Sequence, residues 1–136
     1  MSDDVDYGSL NILVVEDETH TRTMIKAMLR NIGVRLISEA ANGRDGLIEV
    51  VNVRPNLVFC DIHMKPIDGR EFLKTLRGMT AEGVQDTPVV FLTADAQRDT
   101  VAFAMDHAID GYLVKPTSPG AIKSRIDTVM KARRRK

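Results

Sequence analysis

Long hydrophobic runs and cysteine pairs are both missing from this chain of 136 residues. No apolar stretch approaches the ~20 residues that a membrane-spanning helix needs, and the acidic start Met-Ser-Asp-Asp-Val-Asp is unlike a secretion signal, which is basic and then apolar. The single cysteine, Cys60, lies within an apolar run, so we expect core packing rather than redox chemistry. These absences predict a soluble cytoplasmic protein.

An excess of charge of either sign is missing too. Nineteen basic residues balance nineteen acidic ones, so no global field would draw the protein to nucleic acid or to a lipid surface. Positive charge is concentrated at one end, where residues 131–136 read Lys-Ala-Arg-Arg-Arg-Lys. We interpret this end as a solvated helix terminus whose cations suit the helix dipole, with docking to an anionic surface as the alternative.

Linkers, internal repeats and Gly-rich segments are absent, and the length suits one domain with a sizeable core. We predict a flexible N-terminal extension over residues 1–9, a folded domain over 10–132 and a basic tail over 133–136. The Arg-rich end also resembles the start of a linker, so a piece of a longer protein is an alternative.

Short apolar runs alternate with stretches of helical period, and this pattern predicts a parallel sheet with helices on both faces. The predicted strands cover residues 10–15, 34–38, 57–60, 88–92 and 110–114. Right-handed crossovers favour the strand order 2-1-3-4-5. The predicted fold class is therefore α/β, with a doubly wound five-stranded parallel sheet.

Apolar stripes on the first three predicted helices should face this sheet. The stripe residues are Met24, Ile25, Met28, Leu29 and Ile32, then Leu47, Val50 and Val51, then Phe72, Leu73 and Leu76. The fifth helix has a clear beginning, because Ser118 is a suitable cap and Pro119 suits the first helical position.

The fourth predicted helix, residues 96–107, has a weaker pattern. Val101 and Met105 share the face that we expect to be inward, while Phe103 lies off that stripe and is expected to be exposed. His107, at its end, is predicted to be a surface residue.

Polar residues with complementary chemistry follow four of the five predicted strands: Glu16, Asp17, Asp61, Thr93 and Lys115. Because carboxyl ends of parallel strands share one edge of the sheet, we expect these side chains to converge. Carboxylates at such short separation repel one another unless a hard cation such as Mg²⁺ is bound. A hydroxyl and an ammonium complete a set that suits a phosphoryl group.

In order and spacing, these residues closely resemble the receiver domain of two-component response regulators, of the stand-alone chemotaxis-regulator type. The resemblance covers roughly residues 10–132 and rests on Glu16-Asp17, Asp61, Thr93 and Lys115-Pro116. It implies a flavodoxin-like (βα)5 fold and a bacterial phosphorelay protein in which Asp61 accepts a phosphoryl group from a phosphohistidine. The chain would not be an enzyme beyond catalysing its own phosphorylation and dephosphorylation.

The resemblance also implies Mg²⁺ as the cofactor. Asp17 and Asp61 would be direct ligands, Glu16 would act partly through water, and a backbone carbonyl would come from His63. Lys115 would provide a second cation for the phosphoryl group, whose transfer depends mainly on positioning and electrostatics.

Two further pairs of residues match functional positions of receivers. Thr93 and Tyr112 would form the switch, the hydroxyl moving toward a new phosphoryl oxygen and the ring filling the space left, although plain packing is the alternative for Tyr112. His63 and Asp95 would modulate phosphoryl lifetime, with an ion pair between them as one hypothesis.

The chain departs from the family at Lys65, which stands where a proline is common. Lys65 could alter the conformation of the loop after Asp61, or its side chain could be solvated.

The resemblance implies a histidine kinase or histidine phosphotransfer protein upstream. A downstream target would bind the face formed by the fourth helix, fifth strand and fifth helix, with Arg98, Phe103 and the basic tail as contacts. Direct nucleic-acid binding and membrane insertion are not expected.

Three alternative functions remain. The sequence does not separate this switch from a relay carrier that passes the phosphoryl group to another histidine. A haloacid-dehalogenase-type hydrolase is less favoured, because His63 occupies its second aspartate position and no residues are left for a cap. A nucleotide-binding module is less favoured still, because neither a Gly-rich dinucleotide fingerprint nor a phosphate-binding loop follows the first strand.

Overall fold

A computed structural model describes residues 4–94 and 98–134. The strands are β1 (Asn11–Val15), β2 (Leu36–Ala40), β3 (Leu57–Asp61), β4 (Val89–Thr93) and β5 (Gly111–Val114), and the helices are α1 (Thr19–Ile32), α2 (Gly43–Val53), α3 (Gly69–Arg77), α4 (Arg98–Asp106) and α5 (Pro119–Arg134). All neighbouring strands pair in parallel, in the order β2-β1-β3-β4-β5. The predicted α/β class and strand order are confirmed. Within the described ranges, no helix is both long and apolar enough to cross a bilayer.

Both faces of the sheet are covered by apolar clusters. Successive residues of a strand point to opposite faces, so Ile12 and Val14 pack in the cluster shared with α1 and α5. Leu13 and Val15 pack on the other side, with α2 and α3. This two-sided burial explains why the central strands consist of continuous apolar runs.

Side-chain caps set the beginnings of three helices. The capping oxygens belong to Asn42, Asp68 and Ser118, which accept hydrogen bonds from the backbone N–H three residues later at 2.8, 2.9 and 3.1 Å. The prediction that Ser118 caps a helix beginning at Pro119 is confirmed. At the other end of α1, Gly33 adopts a φ of 121°, where a side chain would be strained.

The second strand was predicted over 34–38, two residues too early. Val34 is buried ahead of the strand, whereas Leu36, its first residue, is 57% exposed. β2 is an edge strand and needs little apolar character on its open side, so the apolar run in the sequence does not mark its limits. Its end is set by pairing of Ala40 with Val15.

The predicted inward face of α4 is wrong at Met105, whereas Val101 is half-buried. Ala104 is the fully buried residue, and Met105, one position further around the helix, is 68% exposed. Phe103 was expected to be exposed, but its ring is half-buried between the guanidinium of Arg70, 4.7 Å from the ring centroid, and the ring of His107, 4.2 Å away. Phe103 therefore connects α4 to α3, and the half-buried His107 ring stacks on Phe103.

Two stripe residues of the other helices also lie outside the core. Met24 and Val51 are exposed at 44% and 42%. Ile25, Leu29 and Val50 occupy the centre of the helix–sheet contacts, and the exposed pair lies one position away around each helix.

Residues 5–10, which precede β1, pack against the domain. Val5 and Leu10 are buried in the α1/α5 cluster, and a short 3-10 turn places the Tyr7 hydroxyl where it donates a hydrogen bond to Asp127 of α5. α5 itself continues to Arg134, past the predicted domain boundary at 132.

Candidate functional site

The carboxyl ends of four strands bring the predicted site residues to one rim of the sheet. Glu16 and Asp17 directly follow β1, Asp61 and Thr93 are the last residues of β3 and β4, and Lys115 directly follows β5. The strand order places β1 beside β3 and β3 beside β4. The fold therefore assembles five residues from four separate places in the sequence.

Three carboxylates form a compact cluster at this rim. One oxygen each from Glu16, Asp17 and Asp61 lies within 4.8 Å of the other two. Glu16 is fully buried and Asp61 is 5% exposed, whereas Asp17 is exposed. Solvent therefore reaches the cluster at Asp17, whereas the other two carboxylates are buried.

An open cleft of about 470 Å³ adjoins the cluster. Asp17, His63, Met64, Lys65 and Asp68 line it. Its volume and its position beside the carboxylate cluster leave room for a small group to approach the rim.

Lys115 is the cation of this cluster. Its ammonium donates hydrogen bonds to Glu16 Oε1 at 2.5 Å and to Asp61 Oδ1 at 3.2 Å. Burial lowers the pKa of Lys115, but the hydrogen bond to Glu16 and the nearby negative charges outweigh burial, so its pKa lies above the usual value. The ammonium therefore stays charged at neutral pH.

Glu16 titrates near neutrality. Burial raises its pKa to about 7, and the negative charge of Asp61 adds to the rise, while the hydrogen bond from Lys115 opposes it. One ammonium thus does not fully compensate the cluster.

The donor set fits a hard divalent cation. Carboxylate oxygens are the ligands that Mg²⁺ prefers, and Mg²⁺ commonly keeps several waters, which an exposed ligand such as Asp17 permits. With all three carboxylates ionised, a single ammonium leaves negative charge in excess. Glu16, Asp17 and Asp61 are the residues that would hold the ion.

The loop after β3 holds Asp61 in a fixed position. Asp61 Oδ1 accepts a hydrogen bond from the Ile62 N–H at 2.9 Å, and the Gly69 N–H donates to the Ile62 carbonyl at 2.7 Å. A Cβ on Gly69 would lie 2.4 Å from the Asp61 carbonyl oxygen. Only glycine permits this approach of α3 to the end of β3.

Thr93 and Tyr112 lie on the neighbouring strands. Thr93 is fully buried, and its carbonyl accepts a hydrogen bond from the Lys115 N–H at 2.7 Å, which joins the ends of β4 and β5. Tyr112 is half-buried with its ring edge toward Phe91, 5.9 Å between centroids. Burial raises the pKa of Tyr112, so its hydroxyl stays protonated at neutral pH.

The remaining predicted residues include two that line the cleft, one in the core and one outside the described residues. His63 and Lys65 are exposed at the cleft, and Asp95 lies outside the described residues, so the proposed ion pair with His63 stays a prediction. Cys60 is buried, and burial together with the neighbouring carboxylates raises the pKa of its thiol well above the usual value. This agrees with core packing, because a neutral buried thiol is unreactive.

One residue at the rim was missed from the sequence. Arg22 of α1 donates from Nη1 to the carbonyl oxygen of Glu16 at 2.7 Å. The sequence contains one indication of this contact. Arg22 follows Glu18 by four residues, so in a helix it lies next to the turn that carries Glu16 and Asp17. The carbonyl that it binds, however, has no signature in a sequence.

Comparison with known proteins places this geometry in context. Residues 12–127 match the family described as the response regulator receiver domain. The KDP operon transcriptional regulatory protein KdpE of Escherichia coli is 31% identical over 121 residues; these cover 89% of this chain and 51% of KdpE, so the chain spans about half the length of that relative. Chemotaxis protein CheY-3 of Vibrio cholerae is 29% identical over 121 residues, 89% of this chain and 92% of CheY-3. The solved structure of chemotaxis protein CheY4 of Vibrio cholerae has a TM-score of 0.81 at 26% identity, covering 88% of this chain and 98% of CheY4.

Proposed function

Because the chain belongs to the family of response regulator receiver domains of two-component signalling, we propose that it is a phosphorylation-dependent switch whose acceptor is Asp61. The resemblance seen in the sequence is confirmed at the level of the family and its fold. The phosphoryl donor would be a phosphohistidine of a sensor kinase or a histidine phosphotransfer protein. We further propose a cytoplasmic location and no catalytic activity beyond the protein's own phosphorylation and dephosphorylation.

One observation carries this proposal: the Lys115 ammonium lies within hydrogen-bond distance of both Glu16 and Asp61, inside a three-carboxylate cluster. A lone acidic residue at a strand end is common. An acceptor carboxylate held beside a buried carboxylate and an ammonium, next to an open cleft, is what phosphoryl transfer to an aspartate requires.

The chemistry follows from this arrangement. A carboxylate oxygen of Asp61 attacks the phosphorus of the phosphohistidine; the new O–P bond forms as the N–P bond breaks, and the imidazole leaves. Lys115 faces the negative charge of the transferred group. A bound Mg²⁺ would neutralise charge on the phosphoryl oxygens. The product is an acyl phosphate that adds ~1.5 to 2 negative charges to the rim.

The readout would be a change in protein binding. Thr93 and Tyr112 lie on β4 and β5, between the acceptor and the face formed by α4, β5 and α5. That face exposes Met105 at 68% and Val114 at 56%, which supports a protein-binding role. Phosphorylation would bias two conformations of this face by their difference in stability.

The test is intact-protein mass spectrometry after incubation with Mg²⁺ and acetyl phosphate. We expect one added phosphoryl group, absent in Asp61→Asn and in a sample with excess chelator. Asp68→Asn is the matched control, because Asp68 lines the same cleft and is not in the carboxylate cluster; it should still be modified.

An adduct that persists in Asp61→Asn would overturn the assignment of the acceptor. If no adduct forms, binding of beryllium fluoride with Mg²⁺, followed by amide chemical shifts, separates a short-lived acyl phosphate from an inactive site. Failure of the wild-type protein to bind this analogue would overturn the proposed function.

A further inference from the structure

Arg22 joins three parts of the molecule at the edge of the rim. Its Nη1 donates to the Glu16 carbonyl at 2.7 Å, and its Nε donates to Glu39 Oε1 on β2 at 2.8 Å. The Arg22 side chain is only 14% exposed, so the guanidinium is largely withdrawn from water. One planar fork thus connects α1, the end of β2 and the turn after β1.

Every polar group of Glu16 has a partner. Its N–H donates to the Ala40 carbonyl at 3.0 Å, and its carboxylate accepts from Lys115 and, at 3.2 Å, from the Glu18 N–H. The carbonyl is bound by Arg22. This last contact ties the Glu16 backbone to the side chain of an α1 residue, in addition to the hydrogen bonds that Thr21 and the Arg22 N–H make to Glu18.

The turn needs such a restraint. Asp17 is exposed, while Glu16 and Asp61 are buried and their negative charges lie close by. Repulsion between carboxylates favours an outward displacement of Asp17, and a carboxylate shifted by about 1 Å is a poor ligand for an ion with strict geometry.

We propose that Arg22 is a positioning residue for the carboxylate cluster: it fixes the turn after β1 so that Glu16 and Asp17 face a divalent cation. It contacts neither the cation nor the phosphoryl group. This inference rests on the proposed function in one respect, that the cluster binds a divalent cation.

Lys26 offers a matched comparison on the same helix. Its ammonium also binds Glu39, on the other carboxylate oxygen. The hydrogen bonds from Lys26 and then Arg22 lower the pKa of Glu39, so both cations act on the same group. Lys26 has no contact with Glu16 among those found in the described residues. Removing either residue deletes one positive charge from α1, but only Arg22→Ala releases the turn.

The experiment measures Mg²⁺ binding by isothermal titration calorimetry in wild type, Arg22→Ala, Arg22→Lys and Lys26→Ala. We expect Arg22→Ala to weaken binding by ~10-fold, in the range for loss of a residue that orients ligands. Lys26→Ala should stay within about twofold of wild type, since surface charge alone has little effect at physiological salt. Arg22→Lys keeps the charge but lacks the two-pronged donor, so its affinity should fall between these values.

Amide hydrogen exchange of Glu18 without metal gives a second readout. Arg22→Ala should speed this exchange by ~10-fold, whereas Lys26→Ala should leave it unchanged. Equal losses of Mg²⁺ affinity in Arg22→Ala and Lys26→Ala would overturn the proposal, because the effect would then be one of charge. So would wild-type affinity or unchanged Glu18 exchange in Arg22→Ala. A wild-type protein that does not bind Mg²⁺ would instead overturn the proposed function.

Discussion

The two ends of the sheet both hold clusters of charged side chains, but their charges are balanced differently. At the carboxyl end, three carboxylates share the ammonium of Lys115. At the amino end, Asp110 lies between Arg77 and Arg133, at 3.3 and 3.5 Å, and also accepts from the Val89 N–H at 2.9 Å. With its carboxylates ionised, the first cluster carries more negative than positive charge, whereas in the second both carboxylate oxygens of Asp110 accept hydrogen bonds.

The amino-end cluster consists of Arg77, Asp110 and Arg133. Most of the hydrogen bonds that its two arginines donate go to backbone carbonyls. The guanidinium of Arg77 donates to the carbonyls of His107, Ala108, Gln85 and Thr87 at distances from 2.6 to 3.0 Å. These contacts tie the end of α3 to the end of α4 and to the segment before β4. Buried polar groups that are hydrogen-bonded in this way stabilise the fold, whereas a buried carboxylate with a raised pKa, as at Glu16, marks a candidate binding site.

The largest effect that would separate the two clusters is expected for Arg77→Ala. Four carbonyls and Asp110 lose a charged donor, so the free energy of unfolding should fall by ~3 kcal/mol. Urea unfolding followed by far-UV circular dichroism measures this change. Phosphorylation of the folded fraction should remain. Lys74→Ala, an exposed cation in the same last turn of α3, is the control and should change stability little. Equal effects of the two substitutions would contradict a structural role for the amino-end cluster.

A somewhat smaller effect should come from pH at the carboxyl end. The pKa of Glu16 is raised from 4.5 to about 7 in the folded protein, so the folded state binds this proton more tightly than the unfolded state. Its contribution to stability is complete below pH 4.5 and is lost as the pH rises through 7. In metal-free protein we therefore expect the free energy of unfolding to fall by roughly 2 to 3 kcal/mol over this interval.

The Glu16→Gln variant isolates this contribution, because other titrating groups are common to both proteins. Urea unfolding at pH 5 and pH 8 with chelator should show a smaller fall with pH in the variant than in wild type. Excess Mg²⁺ at pH 8 should restore stability in wild type through binding to the folded state. An identical fall in both proteins would show that Glu16 is not the group responsible.

The smallest effect is expected for Arg133→Ala. Arg133 donates to the Asp86 carbonyl at 2.6 Å and lies at the outer margin of the cluster, while Asp110 keeps Arg77 and the Val89 N–H. We expect a loss of ~0.5 to 1 kcal/mol in the same urea measurement. A loss as large as that for Arg77→Ala would show that the amino-end cluster acts as one cooperative unit.

The fold and the rim were largely predictable because both depend on strong local patterns. Continuous apolar runs marked the covered strands, and the polar residue after each run marked its carboxyl end, as at Asp61 and Lys115. Caps such as Ser118 have an equally local signal.

What could not be predicted depends on neighbours. The limits of β2 follow from pairing with β1 at an open edge, and the orientation of α4 follows from Ala104 packing beneath it. The roles of Arg22 and Arg77 were hidden for a further reason. Both bind backbone carbonyls, which every residue carries, so no residue type at the acceptor position indicates the contact.

The contact between Lys115 and Glu16 joins residues 99 positions apart. During synthesis, Glu16 emerges first and its counter-charge emerges only after all five strands have been made. Until then the growing chain carries Glu16, Asp17 and Asp61 without the ammonium of Lys115. A contact of such separation forms late because of the chain entropy that closing it removes. The proposed competence for phosphorylation should thus appear together with completion of the sheet, so that the charge balance of the rim reports that all five strands have paired.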